Sequence, residues 1–154
     1  MEVLNSEYSQ LIRELYIECF VNTQSPHYIE GVQTRIPFRD GLCYTSYLWD
    51  CLKKPKKISR NKALNLLWER KNVFIMWDIH SEERIFIPNY WKYPKESVLL
   101  LEVFDEEKLK DLPEDIYIFD DTFSWSVILT HETDRKGNPY CIFTSFDDEN
   151  KKII

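Results

Sequence analysis

Glycine is nearly missing: the chain has 3 glycines in 154 residues. Backbone that wraps closely around a phosphate or a cofactor depends on glycine, because only glycine crosses freely into positive φ. No G-x-G-x-x-G, no G-x-x-x-x-G-K-[ST] and no G-x-S-x-G occurs, so dinucleotide folds, P-loop enzymes and nucleophile-elbow hydrolases lack their signatures. Histidine is equally scarce, at 3. There is no H-E-x-x-H, no H-x-x-x-H and no D-x-D-x-D-G loop, the spacings with which zinc and calcium sites announce themselves. The four cysteines, Cys19, Cys43, Cys51 and Cys141, include no C-x-x-C pair, which removes zinc ribbons and thioredoxin-like motifs. All four sit among apolar neighbours and read as buried, reduced thiols. Long apolar runs are missing too. The longest, "SVLLLEVF", is far too short to span a bilayer, and the start, "MEVLNSEYSQ", has neither a basic nor an apolar leader segment. The expectation is a soluble cytoplasmic protein without metal, cofactor or membrane partner.

What remains is an ordinary globular mixture with many rings. Hydrophobic residues make up 44%, charged residues 30% and aromatics 15%. The length fits one domain, residues 1–154, with 147–154 as a charged tail open to fraying.

The hydrophobic period changes halfway along the chain. In "SEYSQLIRELYIECF", Tyr8, Leu11, Ile12, Leu15, Tyr16, Cys19 and Phe20 recur at helical spacing, and Asn5 or Ser6 can cap the helix. Leu42, Tyr44, Tyr47, Leu48, Cys51 and Leu52 predict a second, short helix, capped by Asp40 and ended by Pro55. Ser59 caps a third, with Ala63, Leu64, Leu67 and Trp68 on one side. From there the period is two. Val73, Ile75, Trp77 and Ile79 share one strand face, with "ERIFIP" as the hairpin partner. "SVLLLEVF" reads as a central strand. "DEEKLKDL" is helical or a surface turn. "DIYIFD", "FSWSVILTHE" and "PYCIFTSF" are further strands, the last two joined by the turn "TDRKGNP". Helices followed by runs of strands define an α+β fold: N-terminal helices packed on a mainly antiparallel sheet of five to six strands.

The net charge of −6 conceals two opposite stretches. Residues 51–71 carry eight basic residues against Glu69, and residues 102–121 carry nine acids against Lys108 and Lys110. The basic run "KKPKK" reads as a solvated loop between two helices. The overall acidity argues against a nucleic-acid binder, which carries a basic surplus. A rigid acidic surface instead suits a basic protein partner, whose association it accelerates. The candidate contacts are Glu102, Asp105, Glu106, Glu107, Asp111, Glu114 and Asp115. Tyr90, Trp91 and Tyr93 join them, because they crowd a loop between two prolines where aromatics serve as interface anchors.

The strand "FSWSVILTHE" ends on a Thr-His-Glu triplet. Strict alternation puts Phe123, Trp125, Val127, Leu129 and His131 on the core face and Glu132 on the other. His131 then reads as a structural histidine bonded to the following turn. An alternative site would gather His80, which also ends a strand, with His131, Glu132 and Cys141.

"EDIYIFDDTFSWSVILTHE" followed by "GNPYCIF" resembles the C-terminal signature of a small bacterial family of unknown function. The matching positions are Tyr117, Asp120, Phe123, Trp125, Thr130, His131, Glu132, Pro139 and Tyr140. "YLWDCLKK" is similar to that family's Tyr-Leu-Trp-His segment, with Asp50 in place of the histidine. Ser124 stands where the signature has threonine, and Asn138 separates its glycine from its proline. The resemblance covers about half of the chain. It implies a bacterial, cytoplasmic α+β protein and brings no activity with it.

Together these features predict a non-enzymatic binding protein, a monomer or weak dimer. Its concrete form is an immunity or antitoxin-type inhibitor docking its acids on a basic toxin domain. An enzyme at the strand ends near His80 and His131, and a structural subunit of a larger assembly, are the alternatives.

Overall fold

A computed structural model describes residues 1–38, 41–80 and 92–146. The strands are β1 (Glu2–Val3), β2 (Ile36–Phe38), β3 (Gly41–Cys43), β4 (Lys56–Ser59), β5 (Lys71–Met76), β6 (Leu99–Val103), β7 (Ile116–Phe119), β8 (Trp125–Thr133) and β9 (Pro139–Ser145). The α-helices are α1 (Ser6–Phe20), α2 (Pro26–Tyr28) and α3 (Arg60–Leu67). Seven strands form one sheet in the order β1-β6-β5-β7-β8-β9-β4, with β2 and β3 as a separate hairpin. Every pairing among the described strands is antiparallel. The α+β class read from the sequence is the fold observed.

The sheet is covered on both faces, which single-face alternation did not anticipate. On one side Ile12, Tyr16 and Phe20 of α1 pack on Phe74, Met76, Tyr117, Phe119 and Ile128. On the other, Ala63 and Leu67 of α3 cover Val73, Ile75, Val127, Leu129 and Phe143. All four residues of β7 are therefore buried, as are Trp125 to Thr130 of β8. Each large side chain taken fully out of water contributes about 1.5–3 kcal/mol. Ser126 lies on the face opposite Trp125 and is buried as well, its hydroxyl 2.8 Å from that of Tyr16. Central position falls to β7. The expected centre, β6, lies second from the edge, flanked by the two-residue β1.

α1 begins where the sequence placed it. Asn5 Oδ1 accepts the Tyr8 N–H at 2.8 Å. Its buried stripe is rotated from the expected one: Tyr8 and Leu11 are exposed, while Ser9 and Arg13 are buried. The rotation has a polar cause. Arg13 donates to the carbonyls of Glu96 (2.8 Å), Trp77 (2.9 Å), Lys95 (3.0 Å) and Ser97 (3.1 Å). Ser9 accepts the Val98 N–H at 3.0 Å. A buried guanidinium is tolerable only with such partners, and these clamp the approach to β6 against the helix.

Other expectations need correction. Residues 42–52 do not form one helix. Leu42 and Cys43 belong to β3, and only Leu48–Cys51 is helical, as a 3-10 turn. Lys56 and Lys57 are not in a loop but in β4, paired with Phe143 and Ile142 of β9. Lysines on an outer strand discourage edge-to-edge pairing with another chain. Asp40 and "ERIFIP", the expected hairpin partner, lie outside the described residues, as does the tail from 147. All four cysteines are free. No helix among the described residues is long and apolar enough to cross a membrane.

Candidate functional site

Ser59 caps α3 by accepting the Lys62 N–H at 3.1 Å. The helix stops at Leu67, so Trp68 is its C-cap and leaves the helical stripe. Glu69 then takes a φ of 60°, the left-handed region usually left to glycine. With that reversal Trp68 stands 73% exposed, the most exposed of the large hydrophobic residues described. The sequence assigned Trp68 to the core because it follows Leu67 and lies four residues after Leu64. An early helix end overrides that spacing.

Across from Trp68 runs the end of β6. The Phe104 N–H donates to the Arg70 carbonyl at 2.7 Å, tying the two segments together. Leu64, Trp68, Val103 and Phe104 make the apolar lining of a groove of about 610 Å³. Glu69, Glu102, Asp105, Glu106 and Glu107 share that lining, against Lys108 as its basic residue. Asp105 fixes the rim: its carboxylate accepts the Glu107 N–H at 3.0 Å and opens the 3-10 turn Glu106–Leu109. Glu107 pairs with Lys110 on the same turn. Both are exposed, so the pair contributes little to stability.

The predicted contact residues divide. Glu102, Asp105, Glu106 and Glu107 come together in the groove. Asp111 lies outside it, 3.0 Å from Lys92, and Glu114 is exposed nearby in sequence. Asp115 is no surface contact at all. It is 3% exposed and its carboxylate is engaged by His131. Tyr93 is half-buried, its ring 6.3 Å from that of Trp77. Tyr90 and Trp91 lie outside the described residues.

A second constellation sits at the sheet end where β5 finishes and β7 begins. The Tyr117 hydroxyl donates to Asp78 at 2.6 Å. The same carboxylate accepts the Leu48 N–H at 3.0 Å, and the Tyr117 oxygen accepts the Trp49 N–H at 3.0 Å. Asp78 and Tyr117 thus cap the 3-10 turn from a distance, in place of a capping bond from the side chain of Tyr47 at its N-cap. Burial pushes the Asp78 carboxyl up to about 7, against those two bonds and Arg13, which favour its charged form; the negative charge of Asp115 adds to the rise.

The capped turn stacks Tyr47 on Trp49, 4.0 Å apart and nearly parallel. His80 lies 4.7 Å and His131 6.0 Å from the Tyr47 ring. β5 ends at Met76, so His80 lies beyond the strand and not at its end, yet the two histidines converge on one aromatic. His131 does not continue the stripe of Trp125, Val127 and Leu129. The register of β8 slips between Leu129 and Thr133, and His131 turns to the opposite face. Its Nδ1 is 2.7 Å from Asp115, and its Nε2 is 3.4 Å from Glu132. Its partner is therefore the start of β7, not the following turn, and Glu132 is a neighbour, not a residue pointing away. Cys141 is separate, fully buried in the cluster on the α3 face. Burial raises its thiol above the ordinary range, which keeps it protonated and unreactive. Among the described residues no three His, Cys, Asp or Glu side chains are placed to hold a metal ion.

Compared with known proteins, the chain matches no family model, no curated protein and no solved structure at a significant level.

Proposed function

We propose that this is a non-enzymatic bacterial binding protein of the immunity or antitoxin type, which neutralises a partner toxin by direct protein–protein contact. One observation carries the reading. A tryptophan 73% exposed stands in an apolar groove lined by five carboxylates. An ordinary fold buries such a ring, and tryptophan is among the residues that dominate interface energetics. The carboxylates supply long-range attraction for a basic partner and repel nucleic acid and anionic lipid. The resemblance to the small bacterial family, the cytoplasmic location and a monomeric or weakly dimeric state belong to the same proposal. The test is co-expression of the tagged protein with its neighbouring gene product, purified at low and at high salt. A stoichiometric complex that weakens with salt supports the reading. Purification of the chain alone under both conditions rejects it.

A second reading, an enzyme at the strand ends, has one observation in its favour. The buried Asp115 carboxylate holds Nδ1 of His131, as the orienting partner of a general base does, with Nε2 3.4 Å from Glu132. A hydrolase screen of the wild type and His131→Ala decides it. Turnover lost in the folded variant supports the enzyme; no turnover, or equal turnover, dismisses it.

A further inference from the structure

The groove around Trp68 differs from several other aromatic sites of the protein in one respect. At those sites the ring, buried as at Trp125 or partly exposed as at Tyr140 and Phe146, carries one of the protein's own cations. Arg70 stacks 4.4 Å over Trp125, Lys57 lies 4.7 Å over Tyr140 and Lys54 lies 5.8 Å over Phe146. Trp68 is the most exposed ring of the set and has no such cation among the described residues. Its surroundings are built for one. Glu69, Glu102, Asp105, Glu106 and Glu107 share the groove with it.

Tryptophan presents the most electron-rich face of the aromatic side chains, and carboxylates beside it add to the pull on a cation. A guanidinium satisfies both demands at once. It is planar and weakly hydrated, so it stacks on a ring while its edge donates to a carboxylate. An ammonium is a compact, strongly hydrated charge and does this less well. The aliphatic stem of an arginine, or an apolar neighbour, has Leu64, Val103 and Phe104 to cover. The groove is also held in shape. Phe104 is bonded to Arg70 and Asp105 caps the following turn. Glu69 is fixed at positive φ. A preformed site loses little entropy on binding.

We infer that the groove receives an arginine-anchored basic segment of a partner protein, with the guanidinium stacked on Trp68 and bonded to the acids around it. The inference rests on the binding-protein reading and names the chemistry of its partner.

Two capped peptides test it, Ala-Arg-Leu-Arg-Ala and the same sequence with lysine, titrated into the full chain. The readout is the indole N–H resonance of Trp68, assigned by Trp68→Phe. The arginine peptide shifts that resonance and binds at least about threefold more tightly than the lysine peptide. Trp68→Ala weakens it about 3- to 30-fold. Trp68→Phe, which keeps a ring, weakens it less. An unmoved Trp68 resonance, equal binding of the two peptides or undiminished binding by Trp68→Ala overturns the inference. The two levels separate cleanly. If the arginine peptide moves Trp68 but no protein partner is captured, the groove chemistry stands and the inhibitor reading falls. If a partner complex forms and Trp68→Ala leaves it intact, the inhibitor reading stands and the arginine anchor falls.

Discussion

The hydroxyl of Tyr117 donates a 2.6 Å hydrogen bond to the carboxylate of Asp78, and between them these two buried residues hold the first two N–H groups of the turn at Leu48–Cys51. That link joins β5, β7 and the segment carrying Tyr47 and Trp49. It also places a carboxyl with a pKa of about 7 inside the core.

The stability of the fold depends on pH through Asp78. Its pKa is about 7 when folded, against an ordinary 3.8 when unfolded. The folded state therefore holds more protons between those values, and stability falls as pH rises through that window, then levels above it. The loss is on the order of 4 kcal/mol. Asp78→Asn, which cannot ionise, removes that contribution to the slope. Urea unfolding at several pH values between about 4 and 7 gives a flatter profile for the variant. Parallel profiles refute the assignment.

Tyr117→Phe keeps the ring contacts and removes the oxygen. Asp78 loses a donor and the Trp49 N–H loses its acceptor, both in the core. The expected cost is about 1–3 kcal/mol, more than a surface hydroxyl deletion. A decrease in the urea midpoint at unchanged slope measures it.

Asp115 and His131 act as a pair. His131→Ala leaves a buried carboxylate with a lost partner and costs about 1–3 kcal/mol. Asp115→Asn with His131→Ala costs less than the sum of the two single changes. A double-mutant cycle by denaturant unfolding detects the difference. Additive losses mean that the 2.7 Å contact carries no coupling.

Glu69 sits at a φ of 60° beside Trp68. Glu69→Gly relieves a left-handed conformation worth about 1 kcal/mol and raises the melting temperature. The same change removes a carboxylate from the groove and weakens partner binding. A gain in stability with a loss of affinity is the expected pairing, read by thermal unfolding and by titration with the partner.

Much of this architecture is legible in the sequence. The caps Asn5 and Ser59 are side-chain signals one residue wide, and both hold. The period-two runs give β5, β7, β8 and β9. Alternation fails where a sheet is covered on both faces, because Ser126 and Thr130 are then buried beside Trp125 and Leu129. It fails again at His131, where a register slip reverses the face. The acids of the groove were visible as charge. Trp68 was not, because helix spacing reads it as core, and only the helix end at Leu67 turns it outward. The Asp78–Tyr117 link spans 39 residues and leaves no local trace.

The central claim is that the acid-lined groove around Trp68 is a binding surface and not a packing defect. The most direct measurement is co-purification of wild type and Trp68→Ala with the co-expressed neighbouring gene product, alongside unfolding of each free chain. The account predicts stabilities within about 0.5 kcal/mol of each other, since the ring is already exposed, and a complex with wild type that is lost or weakened in the variant. A complex equally strong in both, or a variant that fails to fold, contradicts it.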